Sequence, residues 1–188
     1  MQEVLLWSGI EYQSLEHCNL TVARPGIEVN ATILGVSNNQ IFKVDYSIRT
    51  NNSWQTIFCQ VQMKTGNQLA VFRMGSDGNG NWTLNNELAT QFAGCIDVDI
   101  IFTPFTNSLP INRLALRIGE SAQIQVVYFD LATFELRPAT QRYTRLADRK
   151  YKFENVPNDF EADLEVDELG MVISYPGLFA RKATDKLQ

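Results

Sequence analysis

The chain has 188 residues, 45% hydrophobic side chains and a formal net charge of −5. This length suits one domain, or two tightly fused halves, that can bury a sizeable core without disulfide staples. The acidic balance argues against a nucleic-acid partner, and no run approaches the roughly 20 apolar residues of a membrane-spanning helix. We therefore expect neither nucleic-acid binding nor stable insertion into a membrane.

The start of the chain and its cysteines bear on location. Residues 1–4 lack the basic segment and the long apolar stretch of a signal peptide. Cys18, Cys59 and Cys95 are odd in number and widely spaced, which fits reduced thiols better than a disulfide framework. These features predict a cytoplasmic protein.

Alternation of apolar and polar residues dominates the chain and predicts β-strands. Strand-like runs cover residues 27–33, 41–48, 54–63, 69–74, 96–102, 124–129, 141–146, 160–166 and 171–175. The gaps between these runs are short and rich in Asn, Gly and Asp, which favour turns. Many strands with short turns predict a mainly β, antiparallel roll, sandwich or barrel.

Two segments have helical spacing and predict one or two short helices. In the first, residues 85–92, apolar side chains follow the turn at helical intervals. In the second, residues 109–118, the apolar positions fit either a helix face or a strand, and Pro110 would be tolerated in a first helical turn. Weak internal similarity also leaves open two similar β halves, with a boundary near residues 95–110.

The segment from Thr103 to Pro110 is the most distinctive in the chain. Its two prolines fix φ and push the preceding residues toward extended backbone. The Thr, Asn and Ser between them can hydrogen-bond the neighbouring backbone. The segment therefore predicts a rigid polar corner between two apolar runs, beside which a binding site could form.

Recognisable catalytic motifs are few. His17 is the only histidine, which excludes a multi-histidine metal site, and the glycine-rich residues 75–80 predict a hairpin turn rather than a phosphate loop. Asp97 and Asp99 share one face of a strand, where they could form an acid–base pair, half a cation site or a solvated surface. Arg142 lies in a strand with no cleanly apolar face, so it either reaches a polar lumen or marks an exposed edge.

A set of motifs is spread over nearly the whole chain: Trp7, Val44–Tyr46, Gly80 with Trp82, residues 95–99, residues 103–111, Arg113-Leu114, residues 141–144, Asp167 with Gly170, and residues 175–179. Together these motifs resemble the glycolipid-binding family that was formerly a domain of unknown function. The resemblance runs nearly end to end and implies one domain over residues 1–188. It also implies a spiral β-roll or half-barrel, similar to bacterial lipoprotein carriers, with lipid held in an apolar cavity. Asn112 departs from the family pattern, in which a basic residue commonly precedes Arg113.

Three hypotheses follow for function. The leading one is a non-enzymatic binder of a glycolipid or other amphiphile, with no cofactor, no metal and no catalytic residue assigned. The second is an enzyme that uses Asp97 or Asp99 as acid or base on an anionic or lipid-like substrate. The third is an internal network of aspartates and arginines that only locks the corner. Whether the chain forms a homodimer stays open. The candidate ligand-binding residues are Asp97, Asp99, Phe105, Asn107, Arg113, Arg142 and Tyr143.

Overall fold

The computed structural model describes residues 1–187. It contains 15 strands, and along much of the chain buried and exposed side chains alternate as a strand requires. The first arm of the sheet contains β1 (Gln2–Gly9), β2 (Ser14–Ala23), β3 (Gly26–Ser37), β4 (Gln40–Thr50), β5 (Thr56–Thr65), β6 (Gln68–Ser76), β7 (Trp82–Leu84) and β8 (Glu87–Leu88). The second contains β9 (Asp97–Ile100), β10 (Ser121–Asp130), β11 (Glu135–Ala147), β12 (Lys150–Val156), β13 (Glu161–Val166), β14 (Val172–Tyr175) and β15 (Phe179–Leu187). A 3-10 helix, Thr90–Phe92, precedes β9, and α1 (Phe105–Leu114) follows it.

All described strands belong to one open sheet. Its order runs from β8 back to β1, then from β15 back to β9. Every neighbouring pair is antiparallel except β9 and β10, which are parallel. The pairing of β1 with β15 therefore joins the two arms through the ends of the chain. The predicted mainly β architecture is confirmed, as is the prediction of one or two short helices.

The first predicted helix is wrong for most of its length. Residues 85–92 form a hairpin turn, the short strand β8 and the 3-10 helix Thr90–Phe92. Asn85 and Asn86 have φ values of 52° and 71°, which lie in the left-handed region. Asn tolerates this conformation better than most residues, so the pair reverses the chain where the apolar spacing suggested a helix.

The predicted rigid corner is also wrong beyond Pro104, because Phe105 begins α1. The Thr103 hydroxyl accepts a hydrogen bond from the Phe105 N–H at 3.0 Å and so satisfies one of the free donors at the helix start. Pro110 is the sixth helical residue rather than part of the first turn. Residues 105–111 are all buried, and this burial offsets the cost of about 3 kcal/mol for a proline inside a helix.

The helix lies between two hydrophobic clusters. Phe105 and Leu109 belong to a cluster built on the first arm together with β9 and β10, and Ile111 belongs to a cluster built mainly on β11 to β15. Tyr12, in the turn between β1 and β2, packs against both. Within residues 1–187, no helix is long and apolar enough to cross a membrane. The segment that carries the sequence signature therefore contributes side chains to both hydrophobic clusters.

Candidate functional site

Strand β9 and helix α1 bring an aspartate and an arginine into a closed pair. Asp97 is fully buried, and Arg113 holds it through Nε to Oδ1 at 3.0 Å and Nη2 to Oδ2 at 2.6 Å. Burial raises the pKa of Asp97, while the Arg113 guanidinium opposes that shift. Both carboxylate oxygens accept hydrogen bonds from this guanidinium, so Arg113 binds Asp97 and does not line the cavity described below.

The second aspartate of β9 is held by neutral donors. The Thr106 hydroxyl donates to Asp99 Oδ1 at 3.0 Å, and Gln141 Nε2 donates to Oδ2 at 2.6 Å. Burial raises the pKa of Asp99, and these two hydrogen bonds partly counteract the shift. The sequence correctly predicted that Asp97 and Asp99 lie on one strand. A solvated surface is excluded for Asp97, which is buried, while Asp99 is half-buried and lines a cavity.

The other candidate residues separate into those near this cluster and one that lies apart. The Tyr143 hydroxyl donates to Asn107 Oδ1 at 2.9 Å, which links β11 to α1. Phe105 is fully buried, with its ring stacked 6.5 Å from the ring of Tyr46. Arg142 falls on the face of β11 opposite Tyr143, and its guanidinium makes no hydrogen bond or ion pair within residues 1–187. The fold brings together six of the seven candidates and leaves Arg142 outside.

A cavity of about 220 Å³ opens beside this cluster. Its polar lining includes Asp99, Thr103 and Asn107, whereas Asp97, Arg113 and Tyr143 lie behind the wall. Most of the remaining wall is apolar or aromatic and comprises Tyr12, Ile100, Ile101, Tyr128, Phe153, Phe160, Tyr175, Leu178 and Phe179. The cavity therefore has a polar patch in an otherwise apolar enclosure, which is the usual composition of a small-molecule site.

The tyrosines in this wall are neutral hydrogen-bond donors. Burial raises the pKa of Tyr12 to about 12, with further contributions from Glu11, Asp130 and Asp99. Burial also raises the pKa values of Tyr128 and Tyr175. No cation is among the described lining residues. The cavity thus offers phenol hydroxyls and carboxylate oxygens rather than an anion-binding surface.

A buried glutamate on β2, Glu16, lies beside the start of α1. It was not singled out from the sequence. Tyr46 and Thr103 donate hydroxyl hydrogen bonds to Glu16 Oε1 at 2.5 Å and 2.9 Å. Burial raises the pKa of Glu16 to about 7, although these two donors oppose the shift. The signal was the alternation of β2, which places Glu16 in phase with buried Cys18 and Leu20. Since Thr103 also lines the cavity, Glu16 is one hydrogen bond away from it.

The fold and the cavity define a mainly β protein with one open, largely antiparallel sheet and an aromatic-lined pocket beside α1. A family model described as "Putative glycolipid-binding" matches residues 4–181, and the chain belongs to this family. The crystal structure of a DUF1089 family protein from Pseudomonas aeruginosa is similar, with 32% identity and a TM-score of 0.82. The similarity covers 89% of this chain and 92% of that one. No curated protein matches the chain.

Proposed function

We propose that the protein binds a glycolipid or another amphiphile in the cavity beside α1 and catalyses no reaction on it. The observation that carries this proposal is the composition of the cavity, in which a small polar patch lies within an aromatic and aliphatic wall. The family description agrees with a ligand of this kind. Since family membership alone does not fix a function, the proposal depends on the cavity.

The apolar part of the ligand packs against one side of the cavity. Phe153 and Phe160 have ring centroids 6.1 Å apart, and Leu178 lies in the turn after β14. Burial of about five methylenes at about 0.8 kcal/mol each contributes roughly 4 kcal/mol before the costs of association. This gain only matches the lowest cost of association, about 4 kcal/mol, so binding also requires the polar contacts.

The polar patch fixes the orientation of the ligand. Asp99 and Asn107 accept hydrogen bonds, and the tyrosine hydroxyls donate them. Arg113 has a supporting role, because its bidentate contact with Asp97 anchors β9 to α1. The alternative of acid–base catalysis is reduced to Asp99, since Asp97 does not line the cavity.

We also propose a location for the protein in a reducing compartment, the cytoplasm. Cys18, Cys59 and Cys95 are all free and buried. Burial raises the pKa of each of these thiols, which keeps them protonated and unreactive. These properties support a location in which thiols persist.

Native mass spectrometry with added n-octanol and n-octyl β-glucoside tests the proposal. We expect one bound molecule per chain, and we expect Leu178→Trp to abolish binding by filling the cavity. Leu84→Trp is the matched control, because Leu84 is also half-buried but lies on β7, away from the cavity lining. A wild-type protein that binds neither probe, or equal binding by Leu178→Trp and wild type, contradicts the proposal.

A further inference from the structure

A second cavity, of about 260 Å³, adjoins the first and shares Tyr128 and Asn155 with it. The two differ in character, because the second is lined largely by polar side chains from β11 and from the loop after β12. Each is smaller than the ~300–1,000 Å³ of a typical ligand site, whereas together they fall within that range. The two cavities therefore have the dimensions of two compartments of one site.

A hydrogen bond also connects the compartments. Gln141 lines the second cavity, and its Nε2 donates to Asp99 Oδ2, at the wall of the first, at 2.6 Å. Asn155 belongs to both walls, and its Nδ2 donates to Asp159 Oδ1 at 2.9 Å. The boundary is thus made of fixed polar side chains, against which the polar end of a ligand could rest.

Arg137 is the cation of this second compartment. It pairs with Tyr128 across β10 and β11, and its guanidinium carbon lies 4.6 Å from the centroid of the Tyr128 ring. The period-2 alternation puts Arg137 on the same face of β11 as Gln141 and Tyr143, the face that Arg142 does not share. Within residues 1–187, its guanidinium donates no hydrogen bond to another residue. Arg137 therefore keeps its donors available at the edge of the site.

The surrounding charges decide which head group fits. Asp159 lines the same compartment as Arg137, and Asp99 lies in the adjoining one. An anionic head would face these carboxylates as well as the arginine, so its electrostatic gain would be small. A hydroxyl group can accept from Arg137 and donate to a carboxylate or amide oxygen. The mixed lining consequently favours neutral groups that carry several hydroxyls.

We propose that the second cavity is the head-group subsite and that it takes a neutral, hydroxyl-rich head, either a sugar or a glycerol-like polyol, with Arg137 as its main donor. This inference rests on the proposed function, since it assigns the apolar part of the same ligand to the first cavity. Arg137 thus takes the head-group role that the sequence suggested for Arg113 and Arg142.

Isothermal titration calorimetry with four octyl probes tests the subsite: n-octanol, 1-O-octylglycerol, n-octyl β-glucoside and n-octyl phosphate. The wild-type protein should bind at least one hydroxylated probe about tenfold more tightly than octanol and should bind octyl phosphate no more tightly than octanol. Arg137→Ala should remove about tenfold of the hydroxylated-probe affinity, as expected for one charge-assisted hydrogen bond. Its affinity for octanol should stay within about twofold of wild type. The preference between glucoside and glycerol identifies the source of the hydroxyls.

Two further variants keep the test specific. Arg73→Ala is the matched control, because Arg73 also lies over an aromatic ring, that of Phe58, but lines neither cavity. Asp159→Ala removes the carboxylate from the second compartment and should weaken only the hydroxylated probes. If octanol binds but Arg137→Ala leaves every hydroxylated-probe affinity unchanged, or if octyl phosphate binds tightest, the subsite is wrong while the first cavity stands. If none of the four probes binds, the proposed function and the subsite both fail.

Discussion

Asp97 and Glu16 are two buried carboxyl groups at different ends of α1, and they have different partners. Asp97 pairs with Arg113 in the last turn of the helix, whereas Glu16 accepts a hydrogen bond from Thr103, just before the first turn. Asp97 is 0% exposed and faces a bidentate guanidinium. Glu16 is 2% exposed and receives only two hydroxyl hydrogen bonds, both on Oε1, while Oε2 has no partner in the described part of the chain. The two carboxyl groups are therefore equally buried, but Asp97 has a charged partner and Glu16 has only neutral ones.

The difference shows what each carboxyl group can contribute. The Asp97–Arg113 pair holds β9 against α1. The buried carboxylate is tolerated there because the guanidinium compensates its charge. Glu16 has no such partner, so its raised pKa makes the carboxyl group itself sensitive to pH near neutrality. The Asp97–Arg113 pair is thus a fixed support of α1, whereas Glu16 titrates near neutral pH.

The largest expected effect comes from breaking the charged pair. Arg113→Met leaves Asp97 buried without a counter-charge, which should lower the free energy of unfolding by about 3–5 kcal/mol at pH 7. Urea denaturation followed by circular dichroism measures this loss. The double variant Asp97→Leu, Arg113→Met buries no charge and should recover much of the stability. A loss below about 1 kcal/mol in the single variant would show that the pair is not the support described above.

The second effect concerns Glu16 and has a defined sign. Its pKa is about 7 in the folded protein against an ordinary value of 4.5, so folding takes up a proton between these values. The stabilisation is fully present below pH 4.5 and is lost as the pH rises to about 7, amounting to about 3 kcal/mol.

Glu16→Gln removes this titration. The variant should lack the Glu16-dependent fall in stability between pH 5 and 8, so that its stability relative to wild type increases with pH. Urea midpoints collected at half-unit intervals of pH test this difference. A wild-type minus variant curve that is flat over the interval is incompatible with a titrating Glu16. Glu11→Gln is the control, because Glu11 is an exposed residue at the cavity mouth.

The sequence predicted β3 and β4 from their alternation but missed β1, β2, β12 and β15. β3 and β4 were recognised because, over residues 27–33 and 42–49, their buried positions are apolar and the positions between them are polar. β15 was missed because most of its residues are exposed, so hydrophobic alternation is absent over much of its length. The pairing of β1 with β15 then could not be foreseen, although it joins the two arms of the sheet.

The candidate site was predictable only in part, for the same reason. The alternation of β9 correctly put Asp97 and Asp99 on one strand near the signature segment. The cavity wall needs residues from distant turns and strands, such as Tyr12, Phe153 and Leu178. Local periodicity separates the two faces of β11 but does not say which face meets α1, so Arg142 was chosen although it lies on the face opposite Tyr143, which contacts the helix.

The smallest expected effect comes from removing the hydroxyl of one buried tyrosine at a time, beside Glu16 or beside a neutral residue. Tyr46→Phe deletes a donor to Glu16, whereas Tyr143→Phe deletes a donor to the neutral Asn107, and both rings are buried. Each should cost about 1–2 kcal/mol, the value of a buried hydrogen bond.

The two losses should differ in their dependence on pH. Without Tyr46, the pKa of Glu16 should rise further, because a donor that stabilises its charged form is gone. The cost of Tyr46→Phe should therefore grow between pH 5 and 8, while the cost of Tyr143→Phe stays nearly constant. Parallel urea titrations of both variants measure this, with Glu16→Gln as the background in which the pH dependence of Tyr46→Phe should disappear. If it persists in that background, the titrating partner of Tyr46 is a group other than Glu16.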